Sequence, residues 1–176
     1  QDPNCKLLLH PVVGVTQKCD IKYHTRIKCY KHLIKHYPTN TVKLSLLPLS
    51  MRMAGPREAV WHAIIRKNYG CTHFVVGRDH AGPSYNQKNG DKFFGPYDAQ
   101  NLLKKFSEEI GIKVILSKWI VYAKPKIEGL VPLYMAIDTI DETKYEIQNI
   151  SGTKLRSMLK NNEKIPNLYT FPEVVK

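Results

Sequence analysis

The chain has 176 residues, enough for one domain with a sizeable core, and its 43% hydrophobic and 24% charged content is that of a globular chain. That composition excludes fibrous and disordered classes, and no run approaches the roughly 20 apolar residues of a membrane helix. The net charge of +12 invites a nucleic-acid partner. The basic residues are spread from Lys18 to Lys164, so a solvated face or an anionic small substrate accounts for the same charge. No secretory leader pattern is written at Gln1, and a cytoplasmic location is expected, with an organellar one left open. The run "CKLLLHPVVG" enters an apolar strand almost at once, and the native chain is expected to continue upstream. Cys5, Cys19, Cys29 and Cys71 show no CxxC spacing; reduced, mostly buried thiols are expected, and no metal site.

In chain order, "KLLLH" at 6–10 reads as a buried strand. Asp20 is placed to cap a helix whose apolar positions Ile27, Tyr30, Leu33, Ile34 and Tyr37 recur at three and four, with Pro38 ending it. "TVKLSLL" at 41–47 is a second strand. Pro56 opens the next helix, Glu58 lies in its first turn, Val60, Ala63 and Ile64 form its inner face, and Gly70 closes it. "THFVV" at 72–76 is nearly all apolar and is expected to be covered on both faces. A helix from about Tyr97 to Ile110 turns Leu102, Leu103 and Phe106 inward. Short strands follow at "KVIL", "WIVY" and "LYMAI", and Ser151 opens a last helix with Leu155 and Leu159. Strands alternating with helices at this spacing predict an α/β fold with a mostly parallel sheet and flanking helices, ending in a small helical segment. The expected division is a core over 1–149 and a C-terminal segment over 150–176.

Ligands of open parallel sheets bind outside the carboxyl ends of the strands. Three loops have that address: "HPVVGVTQKCD", "LPLSMRMAGPRE" with Arg52 and Arg57 as candidate phosphate-loop residues, and "GRDHAGP". A polyphosphate needs charge-assisted donors and close backbone N–H groups, which glycine permits. In the third loop Arg78 and His80 are the candidate catalytic groups, flanked by Gly77 and Gly82. Taken alone, Arg78 reads equally as a partner of Asp79, and His80 as a hydrogen-bonded structural histidine. "NISGTKLR" adds Ser151, Thr153 and Arg156 at a helix start, which is either an anion site or plain capping. The polar tract 84–92 is expected to be a mobile flap over the phosphate-loop site, anchored by Phe93, Phe94 and Tyr97, or else a mere connector.

The motifs "LLLHPVVG", "DIKYHTRIKCY", "LSLLPLSMRMAGPREAVWHAIIRKNYG", "THFVVGRDHAGP", "FGPYDAQ", "NISGTKLR" and the closing "FPEVV" together resemble the ATP sulfurylases. The resemblance covers nearly the whole chain. It implies a Rossmann-like nucleotidylyltransferase that turns ATP and sulfate into adenylyl sulfate and pyrophosphate in sulfate assimilation, with Mg²⁺ accompanying ATP and a homo-oligomeric assembly. It further implies that Gly77, Arg78, Asp79 and His80 bind ATP, that Ile120 lies against the nucleotide and that Ala81 contacts sulfate through its backbone. Ser151 and Arg156 would stand near the phosphates. The family's QxRNPxH segment is expected upstream of Gln1, so the 176 residues alone are expected to have little adenylyl transfer. Two alternatives stay open: a nucleotide-binding or regulatory domain without its own activity, and a basic nucleic-acid-binding module.

Overall fold

A computed structural model describes residues 4–17, 20–83, 85–148, 152–166, 168–171 and 174. The chain divides into two compact units, Gln1–Ser117 and Lys118–Lys176. The first unit carries β1 (Leu7–Leu9), α1 (Tyr23–Leu33), β2 (Val42–Leu44), α2 (Pro56–Asn68), β3 (His73–Val76), α3 (Asp98–Ile110) and β4 (Lys113–Leu116). β1 and β2 pair in parallel, as do β3 and β4, and a parallel bridge between Val12 and Leu47 prolongs the first ladder. A parallel pair needs a crossover, and here α1 and α3 supply it, so the α/β class follows from the strand–helix–strand spacing.

The core of this unit is where α2 and α3 meet β3. Ala59 and Ala63 of α2, Ala99 and Leu103 of α3, Phe74 and Val76 of β3, and Ile112 form one buried cluster. The three alanines lie on facing helix sides, and their small size lets the two backbones approach. The inner face of α2 is therefore Ala59, His62 and Ala63 with Glu58, while Ile64 is exposed and Val60 only half-buried. α3 ends where Gly111 takes the left-handed conformation at φ 71° and donates to the Ser107 carbonyl, the expected use of a glycine at that place.

Several local expectations are corrected. β3 is covered on one face: Phe74 and Val76 are buried, whereas His73 and Val75 are exposed. Asp20 does not cap α1; its carboxylate accepts from the N–H of Gln17, and Lys22 stands at the cap position without a side-chain bond. α1 buries no residue fully; it passes into a 3-10 turn at Ile34–His36, and Tyr37 is exposed. Of the described cysteines Cys5 is exposed and Cys29 and Cys71 are half-buried, all as free thiols.

The second unit is built from β5 (Ile120–Pro125), β6 (Leu133–Ala136), β7 (Tyr145–Gln148) and α4 (Gly152–Lys160). Its strands run antiparallel in the order β6-β5-β7, the exception to the parallel expectation. Val121 and Ala123 of β5 are fully buried. Ser151 lies outside the described residues.

Candidate functional site

The three strand-end loops of the first unit converge on a cavity of about 360 Å³. Pro11, Val12, Thr16 and Gln17 line it from the first loop, Met51 and Met53 from the second, and Asp79, Ala81 and Gly82 from the third. Arg26 and Tyr30 of α1 and Asp20 complete the wall. The Arg26 Nη2 donates to the Val12 carbonyl, while its buried Nε has no hydrogen-bond partner.

Backbone geometry sets this cavity apart. Met53, Asp79 and Ala81 all have positive φ, at 56°, 54° and 55°, and all three border it. Left-handed backbone at residues other than glycine costs of order 1–3 kcal/mol each and persists only where the surroundings impose it. The imposed contacts are visible. The Gly55 N–H donates to the Ala81 carbonyl at 2.9 Å, and the Asp79 N–H donates to the Pro96 carbonyl at 2.8 Å. Gly55 itself has φ 55°, and a Cβ there would lie 2.4 Å from the Phe94 ring, so only glycine fits. Left-handed residues alternating along 79–81 belong to the class of turn that directs successive N–H groups at an anion.

Behind the loops stands a buried polar chain. The Glu58 carboxylate accepts the N–H of Arg52 at 2.8 Å on Oε1 and the N–H of Ala54 at 2.9 Å on Oε2. His62 Nε2 faces Glu58 Oε1 at 3.6 Å, one helical turn on, and His62 Nδ1 lies 3.1 Å from His80 Nε2. Glu58 and His62 are only 2% and 3% exposed. Burial, then the Arg66 guanidinium, then His80, push the His62 imidazole down to about 3. Burial and Arg66 also lower His80, against a smaller upward pull from Glu58. Both rings are therefore neutral near pH 7. Trp61 stacks on His62 with ring centroids 6.3 Å apart.

The expected site residues fall into distinct places. Asp79 and Ala81 line the cavity. Arg78 is half-buried with its Nε 3.2 Å from Asp79 Oδ2, a partly exposed pair of the kind worth about 0–1 kcal/mol. The His80 ring is turned inward, against His62 and edge-on to Phe74. Gly77 precedes the turn, half-buried. Arg52 and Arg57 are exposed and do not line the cavity; Arg52 contributes its backbone N–H to Glu58. Ile120, at the start of β5, is exposed opposite Ala136, and Arg156 is exposed on α4; both belong to the second unit. Of the 84–92 tract, residues 85–92 are described, and they close on themselves through Gln87 N–H to the Asp91 carbonyl and Asn89 Nδ2 to Asp91 Oδ2, with Tyr85 edge-on to Phe93. Phe94 anchors it against Gly55, while Phe93 and Tyr97 are exposed. Glu58 and His62 are the residues that sequence reasoning missed. Their spacing of four on an alanine-rich helix face was the available signal.

Fold and site thus define an α/β protein whose cavity lies at the carboxyl ends of its strands, where such folds take ligands. The sequence profile of the ATP-sulfurylase family matches residues 1–176, and the chain belongs to that family. It is 54% identical over 99% of its length to a sulfate adenylyltransferase of Eremothecium gossypii, covering 34% of that protein. It is 51% identical over its full length to a sulfate adenylyltransferase of Saccharomyces cerevisiae, covering 33% of that one. The chain therefore spans about a third of the length of the curated relatives it matches. Among solved structures, a hexameric APS kinase from Thiobacillus denitrificans shares the fold at a TM-score of 0.70 and 24% identity, over 97% of this chain and 29% of the other. Among the described residues no helix is long and apolar enough to cross a membrane.

Proposed function

We propose that this chain supplies part of the active site of a sulfate adenylyltransferase, which forms adenylyl sulfate and pyrophosphate from ATP and sulfate. The observation that carries the reading is the strand-end cavity walled by the 79–82 backbone in imposed left-handed turns. In the reaction a sulfate oxygen attacks the α-phosphorus of ATP, a new P–O bond forms, and the bond to the bridging oxygen breaks as pyrophosphate leaves. The bond changes ask for no group on the protein to become covalently attached, so positioning and charge stabilisation are the protein's share.

In this scheme Arg78 meets phosphate charge by opening its exposed pair with Asp79, and backbone N–H groups of the 77–81 turn other than that of Asp79, which the Pro96 carbonyl takes, hold the anion, with Ala81 at the sulfate. Arg156 is proposed as a further phosphate contact and Ile120 as an apolar contact of the nucleotide, both of them residues of the second unit. Asp20 and Asp79 both border the cavity. Two carboxylates suit a hydrated Mg²⁺ that arrives with the triphosphate and needs only one or two protein oxygens. The metal would neutralise phosphate charge when bound.

The test is Arg78→Ala in the full-length protein, read by pyrophosphate release with ATP and sulfate and by calorimetric ATP titration. The expected result is a fall in turnover of two to three powers of ten, the usual cost of one lost charge-stabilising donor, with melting temperature unchanged. Turnover equal to that of the unaltered protein overturns the assignment of Arg78. ATP binding without turnover in the unaltered protein would show a nucleotide-binding domain and no transferase.

A further inference from the structure

The Glu58–His62–His80 chain has a proton arrangement that the geometry dictates. Each Glu58 oxygen accepts a backbone N–H, so Oε1 turns lone-pair density toward His62 Nε2 at 3.6 Å. That distance is too long for a hydrogen bond, yet close enough that a carboxylate oxygen favours an N–H rather than a lone pair facing it. A neutral His62 there carries its hydrogen on Nε2. Its Nδ1 is then bare and can only accept, so the 3.1 Å contact requires His80 to donate from its own Nε2. A neutral His80 with hydrogen on Nε2 has a bare Nδ1.

Two consequences follow. The His80 ring cannot donate to an anion from Nδ1, so an anion in this turn meets backbone N–H groups other than those of Asp79 and Gly82, which the Pro96 and Asp79 carbonyls already take. And the two strained loops are tied to one stretch of α2. Glu58 holds 52–54 on either side of Met53, and His62 holds His80 between Asp79 and Ala81. Gly55 closes the circuit onto Ala81.

We propose that Glu58 and His62 are positioning residues, which fix His80 in the Nε2–H tautomer and thereby hold the left-handed walls of the cavity in their anion-accepting form. The anion-accepting part rests on the function proposed above; the tautomer lock does not. The groups facing the two rings are Glu58 and Arg66 of α2, and the rings face each other.

The experiment is a two-bond ¹H–¹⁵N imidazole spectrum of the ¹⁵N-labelled full-length protein at pH 7.5, without substrate, for the unaltered protein, Glu58→Gln and His62→Gln. The expected result is both rings neutral with hydrogen on Nε2, and in Glu58→Gln a mixture of His80 tautomers. Turnover of Glu58→Gln should fall at least about tenfold in kcat, well below its melting temperature, while Glu58→Asp recovers part of the loss. A His80 that is protonated at pH 7.5 or carries hydrogen on Nδ1 overturns the proposal, as does an unchanged tautomer in Glu58→Gln. Should that variant fail to fold, the spectrum of the unaltered protein decides alone. An inactive unaltered protein with the expected spectrum would remove the transferase reading and leave the lock standing.

Discussion

Acid should destabilise the first unit through His62, by an amount that follows from its burial. The folded imidazole sits near 3 and an unfolded one near 6.5. Between those values the unfolded chain binds a proton that the folded chain does not, so stability rises with pH across the window and falls as pH drops below about 6.5. At pH 4.5 the unfolded ring is two units below its own value, which costs the fold about 3 kcal/mol relative to pH 7. For a domain of this size the urea midpoint should move down by about 1–2 M. His62→Gln is less stable at pH 7 but has lost this titration, so its midpoint should depend less steeply on pH. His10 is lowered by burial and by Arg66, and His80 by the same two causes, neither of them His62. The contribution of His10 remains in both proteins and cancels in the difference, whereas that of His80 changes with the loss of its His62 contact and is separated by repeating the pair of measurements in a His80→Gln background. The assay is urea unfolding followed by far-UV circular dichroism at pH 7 and 4.5. Parallel pH profiles for the two proteins would refute the reasoning, because they would mean that His62 titrates alike folded and unfolded.

Leu103 is fully buried between α3 and the rest of the core cluster, and Leu103→Ala should cost about 2–5 kcal/mol, read as a lower urea midpoint. Gly55→Ala places a methyl 2.4 Å from the Phe94 ring in left-handed backbone, and should lower the melting temperature in a thermal scan, by several degrees for a loss of about 1–3 kcal/mol.

The elements were legible because local chemistry fixed them. Pro56 does stand at the first position of α2, the strand at His73–Val76 lies inside the apolar run, and α3 begins and ends within a residue of expectation. The turn "GRDHAGP" was legible as a cavity wall for the same reason: its glycines and its place after a strand are local facts. What could not be read were pairings across distance. Asp20 had the right residue type for a cap, but the N–H of Gln17 competes for its carboxylate. His80 reads as a ligand from its neighbours in sequence, yet its partner lies eighteen residues away on α2. Glu58 reads as a first-turn acid; its burial and its two backbone bonds depend on how the 52–54 loop folds back. Alternation in β3 was hidden because Val75 is apolar and exposed, which a sequence pattern cannot distinguish from buried.

The stacking of Trp61 on His62 makes the lock visible to light. An indole beside a neutral imidazole emits more strongly than one beside an imidazolium, which accepts charge from the excited ring. The neighbouring ring stays neutral down to about pH 3. Trp61 emission should therefore hold steady as a folded sample is acidified and dim only when the ring beside it takes its proton. The molecule carries its own optical gauge of the state of its innermost histidine.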